Sequence, residues 1–390
     1  MNKYISIFFC VQIIALNLFA MQPKVTPVDY VRPQIDTHKS RWFFFSSASR
    51  PFGMVSLSPD TWTEGSWNSG YLYNSKEIRC FSHVHCWQLA GVPVMPTTGE
   101  VKGHKGMDAY KSTYSHETEI VKPGYHKVEL DTYQIRVELT STSRVGMHRY
   151  TYPAGEKANV LFDVGALLAH GKTEKAAIHR ISSKEIGGYS VLAPTSRRKK
   201  PVTVYFVARF NQNMTAFGGW EKEGKEKKLV HKNSIEGADI GGYASFGKLK
   251  KQTLLMKVGI SYVSEEQARI NLEKELAHWN FDRVKEDAFA EWNRELGKIT
   301  VEGGSEEEKI KFYTDLWHSL LGRHTFSDFN GKYIDNTGEE PVVRQVPLDN
   351  GTPTRNTYNS DAFWGSEFNL NILWSIAYPK VMSEFVSTLV

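Results

Sequence analysis

The sequence predicts a protein of two parts, an all-β domain followed by helices. About ten short strand candidates occur between residues 101 and 263, at the spacing typical of all-β folds. Gly-rich turns such as Pro153–Gly155 and Glu185–Gly188 separate them, which favours a sandwich or a barrel over an α/β fold. From Ser264 onward the apolar residues follow a helical period instead. With 390 residues, the chain is long enough for two domains.

Residues 1–20 have the pattern of a secretory signal. Lys3 supplies a positive charge, a mostly apolar run follows, and Leu18–Ala20 is an acceptable cleavage site. A membrane anchor is the alternative, but Gln12 and Asn17 interrupt the run, which falls short of the roughly 20 apolar residues of a span. We therefore expect a secreted or periplasmic protein without a stable membrane span.

The composition is that of a globular protein with a mild positive charge. Hydrophobic residues make up 41% and charged residues 23%, so nothing points to a disordered chain. The net charge is +5, and we interpret the basic cluster Arg197–Lys200 as a solvated loop, because no recognition helix or stacking platform accompanies it. We expect no nucleic-acid partner. The aromatic share of 13% is high, which fits contact with carbohydrate.

Residues 51–100 are the stretch around which the rest is organised. They are dense in turn formers, and aromatic rings alternate with small polar groups. A surface that stacks on sugar rings and hydrogen-bonds to hydroxyl groups needs this combination. Within the stretch, Phe52–Asp60 is predicted as a strand because Val55 and Leu57 alternate with serines.

A second predicted strand, Phe81–Trp87, carries the main candidate site residues. A period of two places Phe81, His83, His85 and Trp87 on one face. One interpretation is a wall that faces a ligand. The other is a sheet face whose histidines are satisfied by backbone carbonyl groups.

Three further residues in this region are weaker candidates or have two interpretations. Asp60 could contact a substrate, although its position after Ser58 and Pro59 favours capping a turn. Trp67 could stack on a sugar or fill the core of a loop, and the same choice applies to Tyr71.

Cys80 and Cys86 predict neither a disulfide nor a zinc site. In an extended strand their Cα atoms would lie about 20 Å apart, which is too far for a disulfide. Their spacing also differs from the usual Cys-x2-Cys zinc motif.

Two helices follow the β-rich region. Ser264–Gln267 has the form of a capping box and opens the first helix, which is predicted to end near His278. The second is predicted to begin near Asp282 and to end at Gly297. Its apolar residues recur every four positions, at Val284, Ala288, Trp292 and Leu296.

Further helices are predicted towards residue 390. A second capping box, Ser305–Glu308, opens a helix that ends near Gly322. Residues 325–360 have the composition of a long loop. Another helix is predicted over residues 361–378, and residues 380–390 begin a further helical pattern.

The motifs Pro51–Thr61, Gly70–Tyr73 and Phe81–His85 together resemble the N-terminal signature of glycoside hydrolase family 92. That family consists of calcium-dependent, exo-acting α-mannosidases, found mostly in bacteria that degrade glycans. The resemblance implies a β-sandwich followed by an (α/α)6 helical barrel, with the active site between them and an inverting mechanism. It also implies calcium as cofactor and α-mannose-containing glycans as partners.

The resemblance and the change at Ser264 divide the chain into four parts. We expect a signal peptide over residues 1–20, a β-sandwich domain over 21–263, a helical linker over 264–298 and the beginning of a barrel over 299–390. In the family, the general acid and base come from parts of the barrel beyond those represented here. The resemblance therefore implies that this chain holds no catalytic residue and that the calcium ligands lie outside it.

Trp364–Pro379 resembles a family segment in which a tryptophan directly precedes the aspartate that holds the terminal mannose. In this chain Trp364 is followed by Gly365. Asp361 and Glu367 lie within about one helical turn of Gly365 and are candidates for the missing carboxylate. The alternative is that both are charges on a solvated helix face.

Three functions remain open. The first is a secreted exo-α-mannosidase that acts on N-glycans or yeast-type mannans. The second is a non-catalytic carbohydrate-binding protein or inactive fragment, since no acid/base pair is recognisable. The third is a glucosidase or disaccharide phosphorylase with the same domain layout, against which the motifs of residues 51–87 count.

A partial barrel also predicts exposed apolar surface, because a barrel buries its apolar helix faces only when all its helices pair. We expect partial exposure of Trp317, Phe363, Phe368 and Trp374. The 390-residue chain is then expected to be aggregation-prone or poorly ordered after about residue 300.

Overall fold

The computed structural model describes residues 25–38, 46–64, 70–86, 89–168, 172–196, 198–359 and 366–389. The predicted signal peptide lies outside these residues. So do four of the candidate site residues, Trp67, Trp87, Asp361 and Trp364, together with Phe363 and Gly365.

The first part of the chain is a β-sandwich, as predicted. Its strands, in chain order, are β1 (Ser58–Asp60), β2 (Glu77–Ile78), β3 (Cys80–Cys86), β4 (Leu89–Thr98), β5 (Ser112–Thr113), β6 (Ile120–Lys122), β7 (Tyr125–Leu130), β8 (Ile135–Ser141), β9 (Val145–Thr151), β10 (Lys157–Phe162), β11 (Thr173–Arg180), β12 (Glu185–Leu192), β13 (Val202–Phe210), β14 (Ala216–Glu223), β15 (Glu226–Val230), β16 (Ser234–Gly237), β17 (Gly241–Lys248) and β18 (Thr253–Ser261).

These strands form two large antiparallel sheets. Within the described residues, seven strands form the first sheet in the order β1-β3-β4-β10-β17-β14-β15. Nine strands of the described part form the second sheet, in the order β16-β11-β12-β13-β18-β9-β8-β7-β6. The short strands β2 and β5 pair separately.

The two sheets meet through a shared aromatic and aliphatic core. Phe162 of β10 stacks on Phe206 of β13, with ring centroids 6.0 Å apart, and meets Phe210 edge-on at 6.4 Å. All three side chains are buried. Burial of each such side chain stabilises the fold by roughly 2–3 kcal/mol.

Helices dominate the second part. In chain order the helices of the described residues are α1 (Pro27–Tyr30), α2 (Met107–Tyr110), α3 (Glu265–Glu275), α4 (Phe281–Leu296), α5 (Glu306–Ser319), α6 (Leu370–Ala377) and α7 (Pro379–Leu389), with 3-10 turns at Gly103–Lys105 and Ser366–Phe368.

The predicted starts of α3 and α5 are confirmed. The Ser264 side chain accepts a hydrogen bond from Gln267 N at 3.1 Å, which caps α3. Ser305 and Glu308 form a complete capping box at the start of α5. The four apolar residues predicted for the stripe of α4 are all buried.

The helices pack in two places. α3 lies on the second sheet, where Ala268 and Leu272 cluster with Met147 and Val207. The remaining long helices share a separate core with α1. This core is built around four large residues, Trp292, Trp317, Trp374 and Tyr378.

The prediction of exposed tryptophans was therefore wrong for Trp317 and Trp374, which are both fully buried. Their rings turn towards α4 and towards Phe52 at the end of the sandwich. The prediction was right for Phe368, which is 76% exposed.

Two predicted elements differ in extent. The strand predicted over Phe52–Asp60 contains only β1, and residues 52–60 are all buried because the segment lies between the sandwich core and the helical core. The helix predicted over residues 361–378 is described from Ser366, begins as a 3-10 turn and becomes α-helical at Leu370. Pro379 then starts a new helix, a position that suits proline because its missing N–H is not needed there.

The region predicted as a long loop contains two small hairpins. The first pairs β19 (Lys332–Asp335) with β20 (Val342–Gln345), and the second pairs β21 (Leu348–Asp349) with β22 (Thr352–Pro353). The turn formers near Gly338 connect β19 to β20.

Candidate functional site

The segment Phe52–Asp60 joins the sandwich to the helices. Phe52 N donates to Leu320 O at 3.1 Å, and Phe52 O accepts from Thr325 N at 2.8 Å. The Phe52 ring meets the Trp374 ring edge-on, with centroids 5.5 Å apart. Phe52 has a φ of +54°, which costs a non-glycine residue roughly 1–2 kcal/mol, so the contacts on both sides must outweigh this strain.

Asp60 is a buried carboxylate that links β1 to β3. Its Oδ2 accepts from Ser82 N at 3.1 Å and from Cys80 Sγ at 3.3 Å, and its Oδ1 lies 2.8 Å from His85 Nε2. The side chain is fully buried. The expectation that Asp60 caps a turn was wrong, because all these donors come from the neighbouring strand.

Both ring nitrogens of His85 face hydrogen-bond acceptors. Nδ1 lies 2.6 Å from Ser56 O, and Nε2 lies 2.8 Å from Asp60 Oδ1. Since neither partner can donate, both nitrogens must carry protons, and the ring is an imidazolium. Burial alone would lower the pKa of His85, but the Asp60 charge and the two hydrogen bonds raise it above its usual value.

His83, unlike His85, is uncharged. Its Nδ1 donates to Val92 O at 2.7 Å, and its Nε2 lies 2.8 Å from Nε2 of His148. His148 Nδ1 lies 2.9 Å from the Tyr150 hydroxyl. Burial lowers the pKa of His83 to about 4 and holds the pKa of His148 well below its usual range, so both rings are neutral.

His83 and His85 therefore have protein partners at all four ring nitrogens. Both side chains are buried, so a direct contact with a ligand through these nitrogens would require one of the bonds to break. The structure brings Asp60, His83 and His85 together. They support the backbone around them, and contact with substrate stays a prediction.

His324 is a candidate that the sequence reasoning missed. Its Nδ1 donates to Gly53 O at 2.9 Å, and its backbone exchanges hydrogen bonds with Asn359 at 2.8 and 3.0 Å. The residue is 5% exposed, and its Nε2 has no hydrogen-bond partner among the described residues. Burial lowers the pKa of His324 to about 4, and the nearby charges of Arg323 and His85 act in the same direction.

Glu367 lies at the surface. It belongs to the 3-10 turn Ser366–Phe368, in which it is exposed, and it forms no hydrogen bond or ion pair with the described residues. This placement supports the interpretation of Glu367 as a solvated charge.

A second buried carboxylate, Glu119, was also missed. Its Oε2 accepts from Gln34 Nε2 at 2.8 Å and from the Tyr71 hydroxyl at 2.9 Å, and it lies 2.7 Å from His116 Nδ1. Its Oε1 lies 3.0 Å from His126 Nε2. Burial alone would raise the pKa of Glu119, but the histidine and tyrosine hydrogen bonds lower it. Tyr71 is buried in this cluster, which supports its interpretation as loop core.

The cysteines and the acidic residues form no metal site in the described part. Cys80 and Cys86 are both buried, and neither forms a disulfide within the described residues. Burial raises the pKa of the Cys80 thiol, which keeps it protonated. Within the described ranges, no three His, Cys, Asp or Glu side chains are grouped so that they could hold a metal ion.

Comparisons with known families match nearly the whole chain. Residues 30–261 match the Glycosyl hydrolase family 92 N-terminal domain, and residues 267–390 match the Glycosyl hydrolase family 92 catalytic domain. An uncharacterized secreted glycosidase of Arthroderma benhamiae is 23% identical over 330 residues, which are 76% of this chain and 40% of the relative.

Solved structures agree with these matches. A family GH92 alpha-mannosidase from Bacteroides thetaiotaomicron has a TM-score of 0.82 and 26% identity, over 94% of this chain and 50% of its own. A Family GH92 inverting mannosidase from the same species has a TM-score of 0.78 and 22% identity, over 94% and 48%. The chain thus spans about half the length of these relatives. No helix among the described residues is both long enough and apolar enough to cross a membrane.

Proposed function

Since the chain belongs to glycosyl hydrolase family 92, we propose that it forms the N-terminal part of a secreted, exo-acting, inverting α-mannosidase. The chain contains the family's N-terminal domain and the start of its catalytic domain. The substrates we propose are glycans that end in α-linked mannose.

One observation carries the proposal. The structure superimposes on half of an alpha-mannosidase with a TM-score of 0.82 and 26% identity, and that enzyme is also known in complex with mannoimidazole. The matched half includes both the sandwich and the first helices, so the arrangement at their junction is part of the similarity. The name of the Arthroderma benhamiae relative supports secretion.

The chemistry requires two carboxyl groups. In an inverting glycosidase one protonates the leaving oxygen and the other activates water, at a separation of roughly 6.5–9.5 Å. We assign both to barrel segments beyond these 390 residues. The described residues would supply positioning: the buried Asp60–His85 pair and the neutral His324 fix the backbone at Ser56 and Gly53, where sandwich and helices meet.

Calcium is proposed for the whole protein on family membership alone. The described residues do not fit a metal ion, because no group of three suitable side chains is present among them.

The experiment is hydrolysis by the protein expressed from its complete reading frame. With calcium present, we expect release of mannose from α-1,2-, α-1,3- or α-1,6-linked mannobiose, and NMR should show β-mannose as the first product. A chelator should abolish the activity, and calcium should restore it.

Each other outcome identifies an alternative. Binding of mannosides without hydrolysis would favour a non-catalytic carbohydrate-binding protein. Phosphate-dependent turnover would favour a phosphorylase. If the reading frame ends at Val390, the inactive-fragment interpretation leads.

A further inference from the structure

His324 combines burial with an unused hydrogen-bonding atom. Its Nδ1 lies 2.9 Å from Gly53 O, which can only accept, so Nδ1 carries the proton. In the neutral ring Nε2 then keeps its lone pair and is an acceptor. Nε2 has no partner among the described residues, although the residue is only 5% exposed. Nε2 is not one of the fully buried, unpartnered polar atoms of the described part, so it is accessible enough to accept a hydrogen bond from a bound molecule.

The ring is fixed from two sides of the molecule. Gly53 belongs to the segment that leaves the sandwich, whereas His324 follows α5 in the part matched to the catalytic domain. The backbone of His324 is also tied to Asn359 through two hydrogen bonds. The free nitrogen therefore has a defined direction at the junction of the two parts.

The surroundings select the class of ligand. The guanidinium of Arg323 and the imidazolium of His85 act on the His324 ring, and both are positive. Two positive charges disfavour a metal ion or another cation at Nε2. A lone pair also repels an anion. A neutral O–H donor, such as a sugar hydroxyl, satisfies both conditions.

We propose that His324 is a substrate-binding residue whose Nε2 accepts a hydrogen bond from a hydroxyl group of the bound mannoside. The proposal rests on the proposed function and names one contact of that site. The bond from Nδ1 to Gly53 O fixes the ring, and Nε2 is the ring nitrogen that a ligand can contact.

Two substitutions distinguish a substrate-binding role of His324 from a purely structural role. In His324→Asn the side-chain amide can still donate to Gly53 O but does not extend to the position of Nε2. In His324→Gln the longer side chain can place its carbonyl oxygen near that position but loses the bond to Gly53. A purely structural role predicts that Asn is the milder change in every measurement. The proposed contact predicts the reverse order for kcat/KM.

The test uses the protein from the complete reading frame. We expect His324→Asn to lower kcat/KM on α-linked mannobiose by about tenfold, since this is the size of one neutral hydrogen bond. The melting temperature should stay close to that of the wild type. His231→Asn is the matched control, because His231 is an exposed histidine in the turn between β15 and β16.

Deoxymannosides identify the hydroxyl. Removal of the hydroxyl that His324 binds should cost the wild type about tenfold in kcat/KM and the Asn variant nothing further, because the partner is already lost. Additive losses for every deoxymannoside would overturn the proposal and leave the mannosidase function standing.

The proposed contact can also be tested if the wild-type protein does not hydrolyse mannosides. Calorimetry with methyl α-D-mannopyranoside then replaces the kinetics. Binding that His324→Asn weakens would support the contact while the mannosidase proposal fails. No binding at all would overturn both.

Discussion

The Nε2 atoms of His83 and His148 lie 2.8 Å apart in the interior of the sandwich. His83 Nδ1 donates its N–H to Val92 O, so in the neutral ring His83 Nε2 must accept and His148 Nε2 must donate. The Tyr150 hydroxyl then donates to His148 Nδ1 at 2.9 Å. One directed chain of hydrogen bonds thus runs from Tyr150 on β9 through both rings to β4.

The hydrogen-bonded pair of His83 and His148 predicts that the protein loses stability in acid. Both histidines have folded-state pKa values below the ordinary value of 6.5, that of His83 being about 4. The unfolded chain therefore binds more protons as the pH falls from 6.5 towards 4, and stability is lost over that interval. We expect the melting temperature to fall there. The substitution His148→Gln removes one titrating ring. The unfolding free energy of this variant should therefore fall less steeply with decreasing pH than that of the wild type, by up to about 1.4 kcal/mol per pH unit, the contribution of one proton. A variant with the same acid profile as the wild type would contradict this assignment.

His85 lies two residues after His83 on the same strand, but its contribution to stability should have the opposite pH dependence. Its folded-state pKa is raised, so its contribution to stability is complete below pH 6.5 and is lost as the pH rises through the folded pKa. We expect Asp60→Asn to leave His85 without its counter-charge and to cost about 3–5 kcal/mol of unfolding free energy. In ¹⁵N spectra at pH 7, His85 should show two protonated ring nitrogens in the wild type and one in the variant.

Asp131→Asn is the control for this substitution, because Asp131 is an exposed carboxylate. Its stability should match that of the wild type. If His85 shows a single protonated nitrogen in the wild type at neutral pH, the assignment of an imidazolium is wrong.

The features that could be predicted from the sequence are those that depend on residues close together in the chain. The apolar stripe of α4 and the two Ser N-caps follow from spacings of three and four residues, and the structure has them as predicted. The hydrogen-bond partners of the histidines could not be predicted from the sequence. His148 lies 65 positions from His83, and His324 lies 271 positions from Gly53. No periodicity connects such residues, so the charge states they impose could not be predicted.

A similar limit explains the error at residues 52–60. The alternation of Val55 and Leu57 with serines predicts one buried and one exposed face. In the structure the serines are buried as well, and Ser56 bonds to His85 through both its carbonyl and its hydroxyl oxygen. Small polar residues were needed there because the segment is covered on both sides, which the pattern alone does not reveal.

Arg144 is predicted to couple the sandwich to the helices. Its guanidinium bonds to Glu275 on α3 at 2.7 Å, to Ser327 O at 2.7 Å and to Asn356 Oδ1 at 3.0 Å. The ion pair is almost completely buried. Arg144→Met leaves Glu275 buried without its partner, which should cost about 3–5 kcal/mol. We expect calorimetry to show the sandwich and the helices unfolding separately, and proteases to cut residues 325–359 faster.

The matched control is Arg136→Met. The Arg136–Glu129 pair is similarly short, at 2.6 Å, but lies at the surface, where such pairs contribute little. Equal behaviour of the two variants would show that Arg144 does not couple the two parts.

The exposed face of α6 predicts self-association of the 390-residue chain. Ile372 and Ile376 lie one helical turn apart and are 55% and 78% exposed, and Phe368 precedes them on the chain. Adjacent apolar side chains that face water favour association. We expect light scattering to show concentration-dependent oligomers or aggregates, and Ile376→Lys to reduce them. Ile120→Lys, at an exposed position on the edge of the second sheet, should not. A monodisperse, protease-resistant wild-type chain would contradict the prediction, because it would mean that this face is stable in water as it stands.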